Sequence, residues 1–503
     1  MRTVLNAFCL LVSVATVVAN PAEVSVPPLD IGSRVEMFLD DYLIESMEGV
    51  RLKLQQPRSA GKVLSFDQPW EGNTSDYPNV FQDGDRYRMY YRGTQHGDYL
   101  MSPDPDPKDH PPIIAYAESL DGIRWQRPNL GIFEFQGSKD NNIVWIDKPG
   151  DQTITDCMYV FRDMNPACPD SQRYKALGGS SFPLVALVSA DGLHWTELQG
   201  QKSLITEGLH GNPFDNLTVV FWEPRLNRYV MFFRDAHRGG ENRSPAPRNF
   251  GNRSIKHSTS PDFIEWDDPQ WVDFGGTPLE EMYTNGITRY SRAPHMYLAF
   301  PKRFVPWRTL IADIPHEGVS DAVFMSSRDG LNWDRRFMEA FIRPGRDRRN
   351  WVHRNNMPAI GILPTSADEI SLYVVRNYTF PTVHLERMVV RTDGFVSAHA
   401  GYEAGELLTK PLVFKGDNLE LNFATSAAGS IRLEIQDSRG NPLSGFALEE
   451  SPLIWGDEIE HPVSWARSHA KAISDAPLRR IAGKPVRLRF VVKDADLYSL
   501  RFR

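Results

Sequence analysis

Four carboxylates recur at matching points along the chain: Asp76, Asp156, Asp215 and Glu281, the last with Glu280 beside it. They stand 49, 39, 51 and 52 residues ahead of Trp125, Trp195, Trp266 and Trp333. Acids gathered in one confined site cannot all ionise cheaply, so some must keep their protons to higher pH. Cleavage of a glycosidic bond needs that division. One protonated carboxyl serves the leaving oxygen, and one ionised carboxylate acts as base or nucleophile. A fifth segment offers Trp351-Val352-His353-Arg354-Asn355-Asn356 at the corresponding place. Tyr77, Tyr283 and Trp351 have ring faces on which a sugar can stack. Asp40-Asp41 precedes the repeats, and Glu223 falls at the far end of its strand.

The elements that must position these acids are set by a repeat. Ser119–Trp125, Ser189–Trp195, Ser260–Trp266 and Ser327–Trp333 share the theme Ser-x-Asp-Gly-x-x-Trp, with Phe263 in place of Gly in the third. Their tryptophans are 70, 71 and 67 residues apart, and Arg391-Thr392-Asp393-Gly394-Phe395 is a weaker fifth copy. Asp-Gly is a tight-turn dipeptide, because Gly accepts positive φ and Asp tolerates turn geometry. Each copy follows a β-rich run, and an aromatic strand precedes it: Tyr87–Arg92, Tyr174–Gly178, Tyr229–Arg234, Met296–Phe300 and Ser371–Arg376. Four strands per unit and five units predict an all-β fold, a five-bladed β-propeller over residues 33–400, with the acids on the innermost strands. Residues 34–57 are expected to close the ring or cover its edge. From residue 405 the turn motif stops and alternating strands follow, which predicts a C-terminal β-sandwich over residues 405–503.

Composition bounds the partners. The 503 residues carry a formal net charge of -8, which argues against a nucleic-acid partner. Arg2, the apolar run from Ala7 to Val18 and the small residues Val17 and Ala19 read as a signal peptide over residues 1–19. The mature chain is then expected to be secreted or periplasmic, with no membrane segment after cleavage. Cys157 and Cys168 remain after removal of Cys9; one bridge between them is open. No CxxC pair or HExxH suggests a metal, and no cofactor is expected. Arginines concentrate in 234–253 (Arg234, Arg238, Arg243, Arg248, Arg253) and in 346–354 (Arg346, Arg348, Arg349, Arg354). Such forks suit carboxylate or sulfate groups.

The run from Asp76 to Tyr91 (DYPNVFQDGDRYRMYY) resembles the opening of the five-bladed propeller glycoside hydrolases of families 43 and 32. The chain also resembles secreted family-32-like propeller proteins of planctomycete-type bacteria. The resemblance implies a glycoside hydrolase acting on a poly- or oligosaccharide, in which Asp76 is base or nucleophile, Asp215 orients the substrate or tunes the acid, and Glu281 is the general acid. Asp156, Tyr77, Tyr283, Trp351, His353 and Arg354 are then expected to bind substrate. The family-43 Glu-Gly-Pro is here Glu281-Met282-Tyr283. The alternative is a non-catalytic propeller that binds glycan or protein, and it predicts acids that do not converge.

Overall fold

The computed structural model describes residues 27–97, 109–148, 154–179, 184–198, 204–211, 213–237, 252–312, 316–465 and 477–503. The expected signal segment and Arg238, Arg243 and Arg248 lie outside the described residues. Among the described residues there is no α-helix; strands are joined by loops and a few single 3-10 turns.

The repeats fold as successive small antiparallel sheets. The first unit orders its strands Asp76–Asp83, Arg86–Gln95, His110–Ser119 and Ile143–Ile146. The second runs Tyr159–Arg162, Tyr174–Gly178, Val185–Ser189 and Thr196–Glu197. The third runs Val219–Glu223, Arg228–His237, Asn252–Ser260 and Gln270–Trp271. In the fourth, Ile287–Tyr290, Ala293–Ala299, Met325–Ser327 and Trp333–Asp334 form one sheet. Irregular backbone then separates a second small sheet built from Glu281–Met282, Lys302–Val305 and Val319–Ala322. The fifth pairs Met357–Pro358, Glu369–Arg376, His384–Arg391 and, as its last strand, Arg58–Ser65 from far upstream.

Asparagines on or next to the first strands, and one backbone bond, tie several neighbouring units together. The Asn79 amide donates to the Val160 carbonyl at 2.7 Å. Asn285 donates to Leu217 at 2.9 Å, and Asn356 to Ser320 at 2.8 Å. The Val80 N–H donates to Ile360 at 2.8 Å, which joins the fifth unit back to the first. These bonds satisfy polar groups that the packed interior would otherwise strand.

The turn motif repeats its bonding in four copies. Ser119, Ser189, Ser260 and Ser327 accept the N–H three residues on, each at 2.9 Å. Asp121, Asp191, Asp262 and Asp329 accept the N–H two residues on at 2.8 Å. Gly122, Gly192 and Gly330 have φ of 69°, 81° and 82°, where a side chain is disfavoured. In the third copy Phe263 takes φ 74°; its ring is buried against Phe161 and Tyr229 at 5.8 and 5.2 Å, which offsets the strain. The tryptophans pack back onto the preceding unit. Trp195 meets Tyr90 at 6.3 Å, Trp333 meets Phe232 at 6.0 Å, and Trp125 meets Tyr373 of the fifth unit at 5.7 Å.

Residues 29–54 pair with downstream strands rather than with any repeat unit. Glu36–Met37, Ile44–Glu48 and Val50–Leu54 pair with Val486–Phe502, Gly405–Thr409 and Val396–Ala400. Leu29–Gly32 runs parallel to Leu412–Phe414. The downstream segment is thus part of a ten-stranded sheet built from both ends of the chain, with long partners Leu419–Asp437 and Val486–Phe502. The last strand of the fifth unit is supplied by Arg58–Ser65, paired with His384–Arg391. Cys157 and Cys168 are both free thiols.

One buried group gives the fold an acid sensitivity. His257, on strand Asn252–Ser260, is buried beside Phe232 at 5.1 Å. Burial lowers its pKa from 6.5 to about 4. The unfolded chain takes a proton below about pH 6.5 that the folded chain refuses until about pH 4. Stability contributed by neutral His257 is therefore complete above pH 6.5 and falls through that window, by about 3 kcal/mol in all. Urea unfolding of His257→Gln should show a flatter dependence on pH between those limits than wild type.

Candidate active site

The four acids are linked by arginines that the register places opposite or beside them. Asp76 and Arg92 face each other across neighbouring strands, and Arg92 Nη2 lies 2.7 Å from Asp76 Oδ1. Arg92 Nη1 also donates to the Asp156 carbonyl at 3.3 Å and lies 3.5 Å from its carboxylate. In the third unit Arg234 is ion-paired with Asp215 and donates to the Tyr283 carbonyl at 3.2 Å. Arg253 is ion-paired with Glu281. Arg234 and Arg253, the two ends of the arginine-rich segment 234–253, sit on strands and hold site carboxylates.

The Arg234–Asp215 and Arg253–Glu281 pairs meet at Tyr283. Its buried ring has the Arg234 guanidinium at 4.8 Å, the Arg253 guanidinium at 5.2 Å and the Lys302 ammonium at 4.0 Å from its centroid. Cations at these distances are attracted by the ring quadrupole. Tyr77 carries Arg92 at 4.9 Å in the same way. Lys302 is fully buried and donates to the Arg354 carbonyl at 3.2 Å. Tyr77, Arg354 and Asn356 adopt φ of 53°, 62° and 58°. Left-handed backbone at non-glycine residues costs of order 1–3 kcal/mol each and persists where the surroundings over-determine it. At Tyr77 it coincides with a break in register between Asp76 and Asn79 that re-aims the Asp76 end of the strand.

Electrostatics separates the groups. Burial pushes the Asp76 carboxyl above the usual carboxylate range, against the pull of Arg92, Lys302 and Arg354. Burial likewise holds the Lys302 ammonium well below the usual lysine range; Asp76 opposes this, and Arg354, Arg234 and Arg253 reinforce it. The Cys157 thiol is raised by burial and by Asp215 and Asp156, so it is not a thiolate nucleophile at neutral pH. Tyr378 is buried near Asp76, Arg354 and Arg92, and burial raises its hydroxyl pKa.

Asp76, Tyr77, Asp156, Asp215, Glu281, Tyr283 and Arg354 therefore join one connected cluster. His353 lies beside it, its ring 5.3 Å from Phe304, which in turn is 5.8 Å from Tyr283. Trp351 instead directs its indole N–H to the Gly345 carbonyl at 2.8 Å. Asp40 and Asp41 pair with Arg328 and Arg336 at 3.0 and 2.8 Å. Glu223 is fully buried between Arg225 at 2.9 Å and the Tyr297 hydroxyl at 2.5 Å, a structural role. Arg92 and Lys302 were not singled out from the sequence. Arg92 had a signal: it ends the aromatic strand YRMYYR as Arg234 ends YVMFFR, after the acid of its own unit. Lys302 has no counterpart in the other units.

No protein-family model matches the chain. A 167-residue stretch is 27% identical to an uncharacterized protein of Mycobacterium tuberculosis, Rv1502, covering 32% of this chain and 46% of that relative. The chain thus spans about half the length of the curated relative it matches. Among solved structures, the chain is similar to an N-acetylgalactosamine deacetylase from F. plautii in complex with blood group B trisaccharide. That likeness has 12% identity and a TM-score of 0.45, over 67% of this chain and 95% of that one. A β-1,2-mannobiose phosphorylase from Listeria innocua gives 12% identity and a TM-score of 0.41, over 67% and 96%. The catalytic domain of a Coprinopsis cinerea GH62 α-L-arabinofuranosidase gives 11% and 0.39, over 68% and 98%. At TM-scores below 0.5 these likenesses assign no activity to this chain.

Proposed function

We propose that this chain is a secreted or periplasmic glycoside hydrolase, a five-bladed β-propeller with a C-terminal β-sandwich, that cleaves a poly- or oligosaccharide in its central channel. The observation that carries the reading is the gathering of two groups of acids: Asp76 and Asp156 joined by Arg92, and Asp215 and Glu281 joined through Arg234 and Arg253 on the ring of Tyr283, with Lys302 against that ring and acting electrostatically on Asp76. Asp76 is the base or nucleophile, Glu281 the general acid, and Asp215 the group that orients the substrate. Asp156 is assigned to substrate contact; the buried rings of Tyr77 and Tyr283, expected to stack on sugar, are instead covered by Arg92 and by Arg234, Arg253 and Lys302, and position those cations. The cations Arg92, Lys302 and Arg354 oppose the effect of burial on Asp76 and so favour its ionised form. The surplus of cationic groups also suits a uronic or sulfated glycan.

The test is incubation with neutral, uronic and sulfated polysaccharides in water enriched in oxygen-18. Hydrolysis should release new reducing ends that carry the label. New reducing ends without label would assign a different bond-breaking reaction to the site. An absence of new ends across the panel, with direct glycan binding retained, would favour a non-catalytic binding protein.

A further inference from the structure

Trp455 and Leu453 stand 67% and 53% exposed beside the ten-stranded sheet. Ile454 between them is buried and exchanges backbone bonds with Ile431 at 2.8 and 2.9 Å. On its other side Ile431 pairs with Val492, and Ser430 with Lys493. Ile431, Ile454 and Val492 share one buried core. Successive residues of a strand point to opposite faces. Trp455, Ser430 and Lys493 therefore form one row on the outer face, with Leu453 and Arg432 in the next. Trp455 and Lys493 are two strands apart, ~10 Å at ordinary strand spacing. The Lys493 ammonium lies 4.7 Å from the centroid of the Tyr402 ring, which is 66% exposed. The register shifts between Thr425 and Ser430, and the extra residues, Ser426-Ala427-Ala428-Gly429, bring no bulky side chain to this corner. Nearby acids are engaged elsewhere. Asp494 accepts the Ser426 hydroxyl at 2.5 Å, Glu406 pairs with Arg489 at 2.6 Å, and Asp457 pairs with Arg391.

We propose that this outer face binds an acidic glycan, a chain bearing sulfate or carboxylate groups, at a surface that shares no residue with the cluster around Tyr283. A sugar ring stacks on the Trp455 indole, and an acidic group further along the chain meets Lys493, with Arg432 in the neighbouring row. The ligand class follows from the two kinds of surface in one row. An indole face suits the apolar face of a sugar. An ammonium held against an aromatic ring stays charged and positioned, and it pairs with sulfate or carboxylate. Tyr402 is a positioning residue that acts through Lys493. A docking protein would call for a contiguous apolar patch of several hundred Å²; here Ser430, Lys493 and Arg432 interrupt the apolar surface. The surface breaks no bond, so it stands or falls apart from the hydrolase reading.

The test uses the full chain labelled with fluorotryptophan, with the Trp455 fluorine resonance assigned by its loss in Trp455→Phe. The protein is titrated with a sulfated galactan hexasaccharide and with the same hexasaccharide after desulfation. The sulfated chain should shift the Trp455 resonance saturably, and the desulfated chain should bind about tenfold more weakly. Lys493→Gln should weaken binding of the sulfated chain about tenfold. Tyr402→Leu should weaken it in the same direction, whereas Tyr402→Phe keeps the ring and should bind as wild type. Unmoved resonances of the other tryptophans show that each variant is folded. Asp76→Asn should titrate as wild type. A Trp455 resonance that does not move, equal affinity for the two hexasaccharides, full affinity in Lys493→Gln, or a shift lost only in Asp76→Asn overturns the proposal. If glycans are never cut but the Trp455 shift persists, the hydrolase reading fails and this surface stands. If glycans are cut and Trp455 stays silent, this surface fails and the hydrolase reading stands.

Discussion

Asp76→Asn should lower kcat/KM by about 10²–10⁴-fold, the range for loss of a positioned acid–base group, while the protein stays folded. The amide keeps the shape of the carboxyl and its place opposite Arg92. It removes the charge and the basicity. The same residue sets the acid side of the pH profile. A base must be ionised to act, so activity falls as pH drops through its pKa. Burial places that pKa above the usual carboxylate range, so the acid limb should have its midpoint above about 3.9. Lys302→Met removes one of the cations that favour ionised Asp76. Its acid limb should therefore shift further up in pH. A downward shift, or none, would show that Lys302 does not act on Asp76. Pre-steady-state and steady-state rates on one cleavable oligosaccharide across pH 3–9 would read both effects.

Asp393→Ala should cost about 3–5 kcal/mol of stability, as expected when one member of a buried charged network is removed. Asp393 is fully buried at φ 60°. It accepts the Tyr290 hydroxyl at 2.6 Å and Arg292 Nε at 3.0 Å from the fourth unit. It also accepts the Ser499 hydroxyl at 2.8 Å from the ten-stranded sheet. This carboxylate thus joins its own turn to the fourth unit and the ten-stranded sheet, and its loss leaves the Tyr290 hydroxyl without its acceptor and Arg292 with Glu460 alone. Asp329→Ala is the matched comparison. Asp329 bonds mainly within its own exposed turn, and its removal should cost about 1 kcal/mol. Midpoints of urea unfolding would separate the two. Similar losses would mean that Asp393 is only a turn residue.

That contrast shows what the sequence could display. The Ser-x-Asp-Gly-x-x-Trp turns were legible because their bonds are local: serine and aspartate reach backbone groups two and three residues on. The fifth copy looked degenerate because Asp393 bonds to Tyr290 and Ser499, which no local pattern records. The acids were legible because one precedes each of the first four repeats, but they are not at equivalent points: Asp76 begins its unit's first strand, Asp156 lies in the turn Ile154–Asp156, Asp215 precedes Val219–Glu223, and Glu281 belongs to the separate small sheet of the fourth unit. Their partners were less so. Arg92 and Arg234 end strands read only as aromatic scaffold, and Lys302 belongs to the irregular fourth unit. The pairing of Val50–Leu54 with Val396–Ala400, and of Arg58–Ser65 with the fifth unit, depends on register between segments hundreds of residues apart. Alternation within each strand fixes which face is buried but not which partner it meets. The same limit turned the expected edge-covering segment at residues 34–57 into part of the ten-stranded sheet.

The most direct test of the account is release of reducing ends by wild type, Asp76→Asn and Glu281→Gln on the same panel of neutral, uronic and sulfated glycans, with circular dichroism confirming the fold of each. The account predicts release by wild type that both substitutions abolish. Release that survives both substitutions would contradict it, because the bond would then be broken by groups outside the cluster around Tyr283.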